Sequence, residues 1–99
     1  MKIKQLCDLL EIKDTDNETI EDKLTGKLAL IIMRFNMGCW PTSSFMAAKG
    51  GRAHKELEYL KDKGLLYFHA NRDNNKLLYK LTDQGIEAYK TYYNAFVKK

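Results

Sequence analysis

The chain has 99 residues and a formal net charge of +4. That length predicts one domain with a limited core, for which pairing with a second copy would bury further apolar surface. No segment approaches the roughly 20 apolar residues of a membrane span, and Met1-Lys2-Ile3-Lys4 runs into acidic and polar residues and not into an apolar signal segment, so the expectation is a cytoplasmic protein with no membrane partner.

Taken in order, Ile3, Leu6, Leu9 and Leu10 recur at helical spacing and predict a short amphipathic helix over 3–12. Lys13 to Asn17 interrupts it. Thr15-x-x-Glu18 fits a capping box, in which hydroxyl and carboxylate satisfy orphan backbone N–H groups. It opens a helix expected from Asp16 to Met37, with Ile20, Leu24, Leu28, Ile31, Ile32 and Phe35 on its inner face and Gly38 as its stop. Cys39-Trp40-Pro41 reads as a connector, and Cys7 and Cys39 as buried thiols. Thr42, Ser43 and Ser44 are good N-caps for a short helix through Ala48 or Lys49, and Gly50-Gly51 makes a turn.

The next helix, Arg52–Lys63, carries Ala53, Leu57 and Leu60 on one face with Glu56 beside them, while Arg52, His54, Lys55 and Glu58 point elsewhere. Gly64 stops it. Leu65–Ala70 clusters apolar and aromatic residues as a strand does, and in Lys76–Leu81 the residues Leu77, Tyr79 and Leu81 alternate with Lys76, Leu78 and Lys80. Between them Asn71–Asn75 is turn chemistry. Thr82 caps a last helix to Val97, with Ile86, Tyr89, Tyr93 and Phe96 at helical spacing and Tyr92 flanking them. The expected fold class is mainly α with a small β-hairpin, an α+β domain. Its parts are N-terminal helices over 1–37, a helix-turn-helix over 42–63, a hairpin over 65–81 and a C-terminal helix over 82–97.

Charge follows this division. Segment 49–80 holds eight basic side chains, Lys49, Arg52, Lys55, Lys61, Lys63, Arg72, Lys76 and Lys80, against the four acids Glu56, Glu58, Asp62 and Asp73. The remainder is close to neutral, so the excess sits where an electrostatic footprint for a polyanion belongs.

The order of helix, turn, cationic helix and hairpin is that of a winged helix-turn-helix. Leu57-x-x-Leu60-x-x-x-Gly64-Leu65-Leu66, a polar hairpin, then Tyr79-x-Leu81-Thr82-x-x-Gly85 resembles the winged-helix regulators of the MarR and PadR type over about Thr42–Tyr93. The resemblance implies a homodimer on double-stranded DNA, a recognition helix near Gly51–Lys63 and a wing near Asn71–Lys76. It carries DNA-facing positions onto Gly51, Arg52, His54 and Lys55, and a basic wing tip onto Arg72. Where such families have a Leu-Ala pair, this chain has Thr42 and Ser43. The layout, with helical lead-in and tyrosine-rich tail, is also similar to TubR-like centromere-binding proteins of plasmids and phages.

On chemistry, Arg52 is the candidate base reader, since guanidinium donates two hydrogen bonds to guanine O6 and N7; a phosphate contact or a pairing with Glu56 is the alternative. Lys49 adds to the basic patch and Lys55 suits phosphate, while His54 suits either contact or plain solvation. Gly50 and Gly51 let backbone N–H groups approach an anion near a helix N-terminus. Thr42, Ser43 and Ser44 offer hydroxyls to phosphate or serve as caps. Arg72 suits a narrow minor groove, with Asn74, Asn75 and Lys76 on sugar and phosphate. Leu6, Leu9, Leu10, Tyr89, Tyr92, Tyr93 and Phe96 are the expected dimer surface.

Three uses remain open: a promoter-occluding repressor of transcription, a plasmid or phage segregation adaptor that coats repeated sites for a filament-forming partner, and a winged-helix adaptor for proteins. Catalysis finds no constellation. His54 and His69 have no nucleophile and acid at a recognisable spacing, and Lys49-Gly50-Gly51-Arg52 is no phosphate loop. Asp14-x-Asp16-x-Glu18 lacks the glycine and closing glutamate of a calcium loop, having Thr19 and Thr25 there. No enzyme, cofactor or metal is expected.

Overall fold

A computed structural model describes residues 1–12, 19–38, 44–72 and 75–97. The Thr15-x-x-Glu18 box, the Cys39-Trp40-Pro41 connector, Thr42, Ser43 and Asn74 lie outside them. The elements are α1 (Ile3–Leu9), α2 (Ile20–Lys27), α3 (Ala29–Asn36), β1 (Phe45–Ala48), α4 (Arg52–Asp62), β2 (Leu66–Arg72), β3 (Lys76–Leu81) and α5 (Asp83–Tyr92), followed by a π-helical turn, Tyr93–Val97. The fold is α+β, with an antiparallel sheet of order β1-β3-β2. Two compact units divide the chain, Met1–Cys39 with Glu87–Lys99 as one and Trp40–Ile86 as the other.

In the first unit Leu6, Leu10, Leu24, Leu28, Ile31 and Ala88 are fully buried. The Thr19 hydroxyl caps α2 by accepting the Asp22 N–H at 3.2 Å. The single helix expected over 16–37 is instead two, because Leu28 leaves helical geometry at φ −101° and ψ 14°. Its N–H still bonds the Leu24 carbonyl and its carbonyl still takes the Ile32 N–H, so the ladder bends without being cut. Thr25 and Gly26, weak helix formers just ahead, make the bend cheap.

The first unit also occupies part of the expected dimer surface. Leu6 and Leu10 have no exposed area and Tyr92 is 7% exposed, with its hydroxyl 3.0 Å from the Thr25 hydroxyl. These three belong to the core of one chain and have no surface for a partner. The correction has a simple cause: their helical spacing marks a buried face, and a small unit buries it internally. Leu9, Tyr89 and Phe96 are half-buried and Tyr93 is exposed. Tyr89 stacks on Phe35 with ring centroids 3.9 Å apart.

The second unit departs most from expectation at residues 44–49. No helix forms there. Phe45 and Ala47 point inward, Met46 and Ala48 outward, a period of two that defines a strand. β1 pairs with β3 in the register Phe45↔Tyr79 to Ala48↔Lys76, and that pairing satisfies the backbone of a segment too short to nucleate a helix alone. α4 follows β1 after a two-glycine turn and packs on β1 and β2 through Leu57 and Leu60, both about fully buried. β2 pairs with β3 from Leu66↔Leu81 to Arg72↔Lys76, with a bulge between Phe68 and Ala70. Leu78 is 8% exposed, although it shares a face with Lys76 and Lys80. β3 is central, so Met46 and Ala70 flank Leu78 on both sides.

α4 ends as the sequence anticipates. Gly64 takes φ +79°. Its N–H bonds the Lys61 carbonyl, and the Leu65 N–H reaches back to Leu60 at 3.0 Å, the two-bond cap that a left-handed residue permits. Thr82 then joins this cap to α5. Its hydroxyl donates to the Gly64 carbonyl at 2.6 Å and accepts the Gly85 N–H at 3.1 Å, while its own N–H bonds the Leu65 carbonyl. That is the physical content of Leu81-Thr82-x-x-Gly85.

Candidate nucleic-acid interface

The end of the sheet where β1 turns into α4 gathers the exposed cations of the second unit. The Gly51 N–H closes a tight turn onto the Ala48 carbonyl at 3.0 Å, and the Lys49 N–H bonds the Asn75 carbonyl at 2.8 Å. The second bond ties the α4 entry to the hairpin turn. Asn75 itself takes φ +60°, a conformation asparagine tolerates. Ala48, Lys76 and Arg72 form one cross-strand row. Lys49, Arg52, Lys55, Asn75 and Lys76 are all exposed.

Gly50 takes φ +81° and a side chain there would meet nothing within 4 Å, so the glycine serves the turn and not a close approach. Its N–H does not face an anion. It donates to Nδ1 of His54 at 2.8 Å, and the Gly51 N–H is spent on Ala48. The expectation that both glycine N–H groups await a phosphate is therefore corrected: local partners take both. His54 is half-buried and acts here as a positioning residue for the turn, with its Nε2 3.6 Å from the Glu58 carboxylate.

Ser44 is likewise displaced from its expected role. It is half-buried and precedes β1, at the opposite end of that strand from Lys49. A strand in place of a helix carries it away from the cationic cluster.

A polar relay that sequence reading missed fixes α4 on the sheet. Tyr79 has no exposed surface, and its hydroxyl donates to Oε1 of Glu58. Lys61 pairs with Oε2 at 2.9 Å. The Tyr79 bond first, then Lys61, holds the Glu58 carboxyl below its ordinary range. Burial, with the Glu58 bond behind it, pushes the Tyr79 hydroxyl up to about 12, and Glu58 raises Lys61. The available signal was the spacing His54-x-x-x-Glu58-x-x-Lys61, which places three polar groups on one helix side.

These shifts give a prediction. Tyr79 contributes stability in full below its ordinary value of 10.0 and loses it as pH rises toward about 12. Glu58 contributes above its ordinary value of 4.5 and loses it as pH falls through its lowered folded value. Tyr79→Phe is expected to cost about 1.5–3 kcal/mol at neutral pH, the size of a hydrogen bond to a charged group, and to flatten the alkaline arm. Urea midpoints measured from pH 4 to 12 check this; an alkaline arm as steep in the variant as in the parent contradicts it.

The cations fare differently from Lys61. Among the described residues Arg52, Lys55, Glu56 and Lys76 enter no salt bridge, so the Arg52–Glu56 pairing held open above does not form. Unpaired positive charge on one rim costs self-repulsion and is repaid by a polyanion. No three His, Cys, Asp or Glu side chains converge on a metal position among the described residues, and no helix among them is long and apolar enough to cross a membrane.

Protein-family models, curated proteins and solved structures offer no match to this chain.

Proposed function

We propose that the protein binds duplex DNA as a homodimeric winged-helix module, with α4 as the recognition helix in the major groove and the β2–β3 hairpin as the wing, and that it represses transcription by occupying its site. The observation that supports this is the cluster of unpaired cations on the α4 entry, the two-glycine turn and the adjoining hairpin, held together by the Lys49–Asn75 backbone bond. The module is a reduced one. A strand and a turn stand where the first helix of the motif was expected, so α4 is oriented by the sheet and by the Tyr79–Glu58 bond.

In this reading Arg52, in the first turn of α4, reads guanine, and Lys49, Lys55 and Lys76 hold phosphates. Arg72 shares the cross-strand row of Lys76 and extends the wing. A dimer places two such helices on two half-sites, by a surface that excludes Leu6, Leu10 and Tyr92. A segregation adaptor would use the same chemistry on repeated sites; the number and spacing of sites in footprints of genomic fragments separate the two uses.

Anisotropy titrations of a selected duplex and a random one test the assignment. Lys55→Ala is expected to weaken both alike. Arg52→Ala is expected to weaken the selected duplex by a further 1–3 kcal/mol, the worth of one bidentate base contact. Equal losses on the two duplexes for both variants remove Arg52 as a reader, and no retention of either duplex by the parent at low salt removes the DNA reading.

A further inference from the structure

We infer that Glu56 is a specificity-determining residue of α4, accepting a hydrogen bond from the exocyclic amino group of a cytosine about two base pairs from the guanine taken by Arg52; this rests on the DNA-binding reading above. Glu56 is exposed and lies one helical turn from Arg52, on the flank of α4 between Arg52 and buried Leu60. The other glutamate of that helix segment is already engaged: Glu58 accepts from the Tyr79 hydroxyl, pairs with Lys61 and faces His54. Glu56 has none of these contacts. Arg52 stands four residues before it and leaves it unpaired, so each keeps its hydrogen-bonding capacity.

A carboxylate on the same helix as Arg52 and Lys55, one turn from Arg52, repels phosphate and lowers affinity for DNA in general. It is accommodated in a groove only against a donor, and among base edges in the major groove the amino group at cytosine C4 is the one that suits a carboxylate. Residues four apart are separated by about 6 Å along a helix axis, close to two base-pair steps of about 3.4 Å. Arg52 and Glu56 therefore match a guanine and a cytosine about two pairs apart.

The experiment is selection from a library of random duplexes by the full chain and by Glu56→Gln, Glu56→Ala and Arg52→Ala, with urea midpoints confirming that each variant folds. The parent is expected to enrich a cytosine column about two pairs from a guanine column. Glu56→Ala flattens the cytosine column roughly ten- to a hundredfold and leaves the guanine column, Glu56→Gln moves it to adenine, which glutamine reads through N6 and N7, and Arg52→Ala does the reverse of the first. Both Glu56 variants bind random duplex more tightly. Unchanged columns in both Glu56 variants, with Arg52→Ala altering its own, overturn the inference and leave a solvated carboxylate on a DNA-binding helix. A parent that retains no duplex at low salt overturns the DNA reading and this inference together, as binding to a protein would require.

Discussion

Gly85→Ala is expected to destabilise the protein by about 3 kcal/mol, at the upper end of what overpacking usually costs. A Cβ at position 85 would lie 2.1 Å from the Leu65 carbonyl oxygen and 2.8 Å from Cδ2 of Leu81. The carbonyl has no freedom to withdraw. It accepts the Thr82 N–H at 3.0 Å, and the Leu65 N–H is the bond that closes the cap of α4. Relief of the clash therefore opens the cap, the Thr82 bridge or both, and each leaves buried polar groups unpaired. At roughly 4–8 °C per kcal/mol for a small domain, the melting temperature should fall by more than about 10 °C. Gly26→Ala is the control: that position is helical, with nothing within 4 Å of an added Cβ, so stability holds or rises by about 0.5–1 kcal/mol. Thermal melts of the two variants showing equal shifts would refute the tight approach at Gly85.

Removing the cationic rim is the second large effect. On random duplex, where no guanine is matched to Arg52, that side chain joins Lys49, Lys55 and Lys76 on phosphates, and four phosphates imply a log–log salt slope of about −3.6. Between 50 and 200 mM salt the parent should then lose about 150-fold in affinity for random duplex. The variant with alanine at all four positions is expected to bind weakly at both salts, with a slope reduced by about 3.6. Its stability should match the parent's or exceed it, because these side chains are exposed and Arg52, Lys55 and Lys76 are unpaired in the fold. A slope that persists in the variant would move the polyanion to another face.

The hairpin and α4 were legible because local chemistry marks their ends. Gly64 permits the left-handed cap, Asn75 takes positive φ in the turn, and Thr82 caps α5 through its hydroxyl. β1 was not legible. Ser44 and its neighbours look like N-caps, and Met46, Ala47 and Ala48 are good helix formers, yet pairing with Leu77–Tyr79 some thirty residues away decides the outcome. The same non-local effect hid the site's assembly: no spacing announces that the Lys49 N–H meets the Asn75 carbonyl, or that Tyr79 reaches Glu58. Sequence reading placed Lys49, Arg52, Lys55 and Lys76 on the surface, where they lie, but gave the glycine N–H groups to a ligand when Ala48 and His54 already hold them.

The most direct measurement is the set of backbone amide shift changes as a short duplex is titrated into the isotope-labelled protein at low salt. The proposed interface places the largest changes at Lys49–Glu56 and at Asn75 and Lys76, disappearing as salt is raised. Changes confined to the first unit, at exposed Met33 and Met37 for example, or no changes at all, would contradict it.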